Sequence, residues 1–170
     1  MSAVPYAELA IKSISLLEEE EVSRVRNRLV NSGIPSDRLR LLPWTHTYND
    51  HLKSYQEIDI ALDTSPYSGA TTSCEALIMG VPVISLAGKE IVNRLSATIL
   101  YHAGCKKWVV NSELDYISLA KQLAKSGIRD KLEREKLRTK IRSSALGNPK
   151  RLANKLENKL AQLVKAEKAL

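Results

Sequence analysis

The chain has 170 residues, 44% of them apolar, a formal charge of +7 and two cysteines. That length suits one domain burying roughly two-thirds of its unfolded surface. The even spread of apolar residues argues against a disordered chain, and no apolar run approaches the roughly 20 residues of a membrane-spanning helix. Two cysteines cannot build a disulfide framework, and no basic-then-apolar leader opens the sequence, so Cys74 and Cys105 are expected reduced in a cytoplasmic protein.

The charge is uneven. Met1 to Ile128 carries 13 Lys/Arg against 14 Asp/Glu, and Arg129 to Leu170 carries 13 against 5. The basic residues of this tail share helices with an apolar stripe at Leu152, Leu156, Leu160 and Leu163, which reads as a solvated helical face. The tail has no aromatic residue to interleave with its cations, so nucleic acid is an unlikely partner.

In chain order, Ala7–Ile14 is a candidate strand, followed by a helix over Leu17–Asn31 with Glu18 to Glu21 at its start, where negative charge suits the helix dipole. Leu39–Pro43 reads as a strand, Asn49–Gln56 as a short helix capped by Asn49, and Ile58–Leu62 as a third strand. A helix over Thr71–Met79, a strand over Pro82–Leu86 and a helix over Glu90–His102 follow. Lys107–Val110 is a short strand. Ser112 opens a helix to Lys125, with Asp115 placed as in a capping box. Helices over Asp130–Ser144 and Pro149–Ala169 complete the chain. Alternating strands and helices with short connections imply an α/β fold: a Rossmann-like parallel sheet of about five strands with flanking helices and a C-terminal helical tail. The expected division is a nucleotide-binding domain over residues 1–145 and an amphipathic helix over 146–170 packing on it.

The stretch DTSPYSGATTSCEALIMGVPVISL carries the chemistry. In doubly wound sheets ligands sit at the carboxyl ends of strands, where loops enter helix N-termini. The first turn of a helix presents amides without partners and a partial positive charge, so it can hold an anion. Gly69 lets the backbone approach, and Thr71, Thr72 and Ser73 add hydroxyls. The alternative is that a threonine only caps the helix. Glu75, one turn deeper on the face of Thr71, fits a ribose beside a diphosphate, although a Glu in a helix is also commonplace. Gly80 and Pro82 serve the turn.

EALIMGVPVI resembles the donor-binding motif in the C-terminal half of GT-B glycosyltransferases. DIALDTSPYSGATTSCEALIMGVPVISLAG and RLSATILYHAGC resemble the protein O-linked N-acetylglucosamine transferase and Spindly family, from about Ala7 to Ser144. Ser65, between Thr64 and Pro66, departs from the family pattern. The resemblance implies a nucleotide-sugar donor, UDP-sugar in the first instance, and no cofactor or metal. It places the donor diphosphate on Gly69, Ala70, Thr71 and Thr72, the ribose on Glu75, and the base near His46, Tyr48 and His51. Ala70 replaces a family histidine and Tyr48 a family lysine.

The family's N-terminal half, which serves the acceptor, has no counterpart here, and neither has a central strand. The expectation is therefore a donor-binding part with little turnover alone, a protein acceptor met through the absent half, and self-association as a further outcome. Ala7–Ile14 is expected either to pair directly with Ile58–Leu62 or to leave a gap that another chain fills. A sugar-nucleotide epimerase, a non-catalytic interaction domain and a nucleic-acid binder using the basic tail are the competing readings. No residue stands out as a catalytic base.

Overall fold

The computed structural model describes residues 1–126 and 130–167. Its strands are β1 (Leu9–Lys12), β2 (Leu39–Leu42), β3 (Ala61–Leu62), β4 (Val83–Leu86) and β5 (Val109–Val110). The helices are α1 (Glu19–Asn31), α2 (Tyr48–Ser54), α3 (Thr71–Ile78), α4 (Leu95–His102), α5 (Glu113–Lys125), α6 (Lys131–Ser143) and α7 (Pro149–Glu167). Every strand pair is parallel, each joined through a crossover that carries a helix. The α/β class with flanking helices is as expected, but the five strands form two ladders rather than one sheet: β1 with β2, and β3–β4–β5. β1 does not pair with β3, which corrects the expectation of direct pairing.

The core lies around β4. Leu77, Val81, Val83, Ile84, Leu100 and Ala103 are sealed from solvent, with Leu137 and Ile141 of α6 closing one side. The first ladder is thinner: β1 is half-buried throughout, α1 has no buried residue, and Leu16 and Leu39 are the buried apolar residues among the described part of residues 1–60.

Local differences from the sequence reading have local causes. α2 is capped by Thr47, whose extended backbone lets its hydroxyl accept from the Asp50 amide at 3.1 Å; Asn49 is already helical and caps nothing. Tight 3-10 turns take Tyr55–Glu57 from the expected end of α2, and Ile91–Asn93 and Lys106–Trp108 from the expected starts of α4 and β5. At α5 the expected cap is present, with Ser112 accepting from the Asp115 amide at 3.1 Å.

The basic tail divides in two. In α6, Arg134 donates to the carbonyls of Tyr55 and Ile58, Arg138 to Met79 at the end of α3, and Lys140 to Gly104 just beyond α4. These cations satisfy carbonyls at chain turns and helix ends, with Arg134 and Arg138 part-buried and Lys140 exposed. In α7 the charges are solvated, but so is the stripe: Leu152, Leu156, Leu160 and Leu163 are all more than half exposed. The expected packing of this helix on the domain is therefore not what the structure shows. Residues 168–170, within the expected reach of this helix, lie outside the described residues.

Gly80 joins α3 to β4 with φ +77°, and a Cβ there would stand 2.7 Å from the Arg134 carbonyl oxygen. Gly80→Ala should lower unfolding free energy by about 1–3 kcal/mol in a denaturant titration. An unchanged midpoint would show that α6 does not hold this turn.

Candidate functional site

The loop between β3 and α3 is held by one carboxylate. Asp63 Oδ1 accepts from the Gly69 amide at 2.7 Å, and Oδ2 accepts from the hydroxyls of Ser68 at 2.9 Å and Ser85 at 2.6 Å. The Tyr116 hydroxyl, pushed far above its ordinary range by burial and then by the Asp63 charge, stays protonated and donates to the Asp63 carbonyl at 2.9 Å. Behind the loop the Ser96 amide donates to Ser68 Oγ, the Ser96 hydroxyl donates to the Gly69 carbonyl, and the Ser73 and Ser96 hydroxyls meet at 2.7 Å. Ser68, Ser73, Ser85 and Ser96 are buried, so their mutual bonding is what permits polar groups there. Gly69 is needed for closeness: a Cβ would meet Thr72 Oγ1 at 2.7 Å and Ser73 Oγ at 3.1 Å.

This clamp presents the start of α3 outward. Ala70 occupies its cap position without a side-chain cap, and Ala70, Thr71 and Thr72 are exposed. The first-turn amides thus keep their donors for an external acceptor. The Gly69 amide is committed to Asp63, so among the four residues expected around a diphosphate the backbone donors still open belong to the later ones.

One turn deeper, Glu75 is 5% exposed. Its Oε2 accepts from His51 Nε2 at 3.0 Å and from the Tyr55 hydroxyl at 3.2 Å. Lys12 Nζ lies 3.1 Å from His51 Nδ1, 3.0 Å from Thr45 Oγ1 and 3.3 Å from Ser54 Oγ. An ammonium only donates, so His51 Nδ1 accepts and its proton sits on Nε2, facing Glu75. Burial first, and the Glu75 charge second, push the Tyr55 hydroxyl well above its usual range, and it remains a donor. Trp44 stacks on His51 at 5.9 Å between centroids, Tyr48 lies tilted at 6.3 Å and Tyr55 stands edge-on at 5.6 Å.

The structure therefore brings Glu75, His51 and Tyr48 into one cluster next to the start of α3. His46 sits exposed on the preceding loop and makes no contact with that cluster among the contacts described. Lys12, Trp44, Tyr55 and Asp63 were not singled out from sequence. Asp63 had a signal, an acid closing a strand before a Gly-containing loop; the others are ordinary residues until the fold gathers them. Cys74 and Cys105 are free, and burial raises both thiols above their ordinary range.

The profile of glycosyl transferase family 41 matches residues 2–156. The chain belongs to that family. It is 34% identical over 149 residues to the probable UDP-N-acetylglucosamine–peptide N-acetylglucosaminyltransferase SPINDLY of Hordeum vulgare, covering 88% of this chain and 15% of that protein. The SPINDLY protein of Arabidopsis thaliana is also 34% identical, over 88% of this chain and 16% of its own length. Among solved structures, a mutant of the Thermobaculum terrenum O-GlcNAc transferase superposes with a TM-score of 0.84 at 36% identity, over 95% of this chain and 31% of that one. The chain thus spans under a third of any of these family 41 relatives. Among the described residues no helix is long and apolar enough to cross a membrane.

For this family 41 chain the clamp can be tested directly. Asp63→Ala leaves the Gly69 amide and the Ser68 and Ser85 hydroxyls without their acceptor, and should cost about 2–4 kcal/mol of stability by chemical denaturation. Asp63→Asn, which keeps one acceptor oxygen, should fall between that variant and the parent. Equal stability in all three would show that the loop is held by something else.

Proposed function

We propose that this chain is the nucleotide-sugar donor-binding part of a protein O-glycosyltransferase, with a UDP-sugar as donor and little or no turnover alone. The observation that carries this reading is the exposed, uncapped start of α3 standing one turn from a nearly buried carboxylate. The names of the SPINDLY relatives supply the donor class, and the helix start supplies a physical reason for it. In this reading residues 1–145 form the donor-binding unit of a cytoplasmic enzyme whose acceptor is another protein.

The diphosphate lies across the α3 start, taking first-turn amides and the Thr71 and Thr72 hydroxyls, each bond to a charged oxygen contributing roughly 1.5–3 kcal/mol. The His51 and Tyr55 hydrogen bonds to Glu75 fall on Oε2, and in this reading a ribose hydroxyl approaches through Oε1 in place of the Tyr48 hydroxyl, which also hydrogen-bonds the Glu75 carboxylate. His51, engaged at both ring nitrogens and stacked on one face by Trp44, leaves a base its remaining face, beside Tyr48 and the His46 loop. During transfer the helix start stabilises the charge developing on the leaving diphosphate.

Removal of the acceptor proton is a separate requirement. Among this chain's histidines, His51 has both nitrogens committed, while His46 and His102 are exposed away from the Glu75 cluster. In this reading no histidine of the chain serves as the base, and the base is supplied from outside it, in keeping with the low turnover proposed.

Thermal melting against UDP, GDP, AMP and uridine tests the assignment. UDP at a hundred times its dissociation constant should add roughly 2.7 kcal/mol of stability, and uridine at the same concentration much less. Thr71→Ala with Thr72→Ala should weaken UDP binding by about 1.5 kcal/mol or more, and Glu75→Ala should weaken uridine and UDP alike. No stabilisation by any nucleotide would overturn the assignment.

A further inference from the structure

Lys12 ends β1 on the wall of a groove of about 1180 Å³ between the two ladders. Its ammonium reaches α2 and the loop before it, spending one donor each on Thr45 Oγ1 at 3.0 Å, His51 Nδ1 at 3.1 Å and Ser54 Oγ at 3.3 Å. Ser54 sends its own proton to the His51 carbonyl at 2.6 Å, which leaves its oxygen to accept. None of the three partners is a carboxylate. A part-buried cation is a costly way to hold two hydroxyls, which a neutral side chain would hold as well. At the imidazole nitrogen the cation has no substitute. A hydroxyl or water there could reverse its bond and accept from a protonated ring, whereas an ammonium has no lone pair to accept with.

His51 stands between this cation and an anion. Its Nε2 proton goes to Glu75 Oε2 at 3.0 Å, and Glu75 is nearly buried. A carboxylate so close favours a charged imidazolium. That charge would draw the carboxylate into an ion pair at the expense of any hydroxyl bound to it. Lys12 opposes this, because a proton on Nδ1 would face an ammonium 3.1 Å away. The remaining groups around the ring come from α2 and its flanks. Tyr48 and Tyr55 are held above the ordinary tyrosine range, by desolvation first and the Glu75 charge second, and stay protonated. Asp50, beside His51 on α2, is held below the ordinary carboxylate range by its bonds to Thr47 and then Lys53, and stays charged. Trp44, stacked on the ring, does not titrate.

We propose that Lys12 is a positioning residue for the ribose: by occupying Nδ1 it keeps His51 neutral, and a neutral His51 leaves the Glu75 charge undivided for a ligand's hydroxyls. This role rests on Glu75 as the ribose acceptor, and Lys12 is what maintains that acceptor as the pH falls. Among the contacts described, Lys12 reaches Glu75 only through the ring.

Parent, Lys12→Met and Lys12→Arg chains are compared between about pH 8 and about pH 5, the interval in which an unrestrained histidine changes charge. Long-range ¹H–¹⁵N spectra read the His51 ring directly. The parent and Lys12→Arg should keep one protonated ring nitrogen throughout, whereas Lys12→Met should gain a second proton as the pH falls. Calorimetric titration with uridine reads the consequence, since uridine has no charge for Lys12 to attract and no group that titrates in that interval. Its affinity should be level in the parent and in Lys12→Arg, and should fall about tenfold towards the acid end in Lys12→Met. A lysine that only tied β1 to α2 would, when removed, weaken binding equally at every pH. The proposal is overturned by a parent ring that takes up a second proton in this interval, or by parallel uridine profiles in parent and Lys12→Met. If Lys12→Met does not fold, Lys12→Gln makes the same comparison, because its amide can turn its oxygen towards a protonated ring. A parent chain that binds neither uridine nor UDP removes the donor reading and this role together; parallel profiles in a parent that does bind remove this role alone.

Discussion

The candidate site depends on how one carboxylate distributes its lone pairs. Asp63 ends the run of β3, ties the loop to β4 through Ser85, and fixes both Ser68 and Gly69. Without an acceptor at that point, three donors in a water-poor corner would lack partners, a larger penalty than any single bond there contributes. Its effect reaches the surface because Gly69 is the last fixed residue before the helix. Once that amide is committed inward, the following amides turn outward, and α3 begins with its donors exposed and no side chain covering them. The same residue that stabilises the loop therefore creates the anion-seeking surface.

The second half of the site is built by charge and by packing that come from distant parts of the chain. Lys12 from β1 sets the tautomer of His51 on α2, and His51 in turn donates to Glu75 on α3. Three elements are thereby coupled through one imidazole, which lets a nearly buried carboxylate keep its position. α6 supports the arrangement from behind. Its Arg134 and Arg138 satisfy carbonyls at Tyr55, Ile58 and Met79, the segments that carry Tyr55 and close α3. Excess positive charge in the second part of the sequence is in this way partly a device for finishing other elements.

Alternation of β-branched and amphipathic segments was enough to read the parallel α/β class, local cap and turn signals sufficed for the helix at Thr71 and the turn at Gly80, and one long motif carried the resemblance to the family. Those features are written locally, in periods, caps and one long motif. What was not legible was nonlocal. The splitting of the strands into two ladders depends on which edges meet, and nothing in Ala7–Ile14 alone says that β3 stands a groove away. Leu152 to Leu163 spell an amphipathic helix, but the pattern does not say whether a surface in this chain receives it. His51 could be placed near a base by its motif, whereas its coupling to Lys12 and Glu75 required the fold. Asn49 was mistaken for a cap because Thr47, two residues earlier, offers a β-branched residue already extended and so better suited to the cap.

The central claim is that the Asp63 clamp makes the α3 start a diphosphate site. The most direct measurement is the amide proton shift of Thr71, Thr72 and Ser73 in ¹⁵N-labelled protein titrated with UDP and, separately, with uridine. The account predicts large downfield shifts of those amides with UDP only, and their loss in Asp63→Asn. Equal shifts with uridine, or UDP-dependent shifts confined to other parts of the chain, would contradict it.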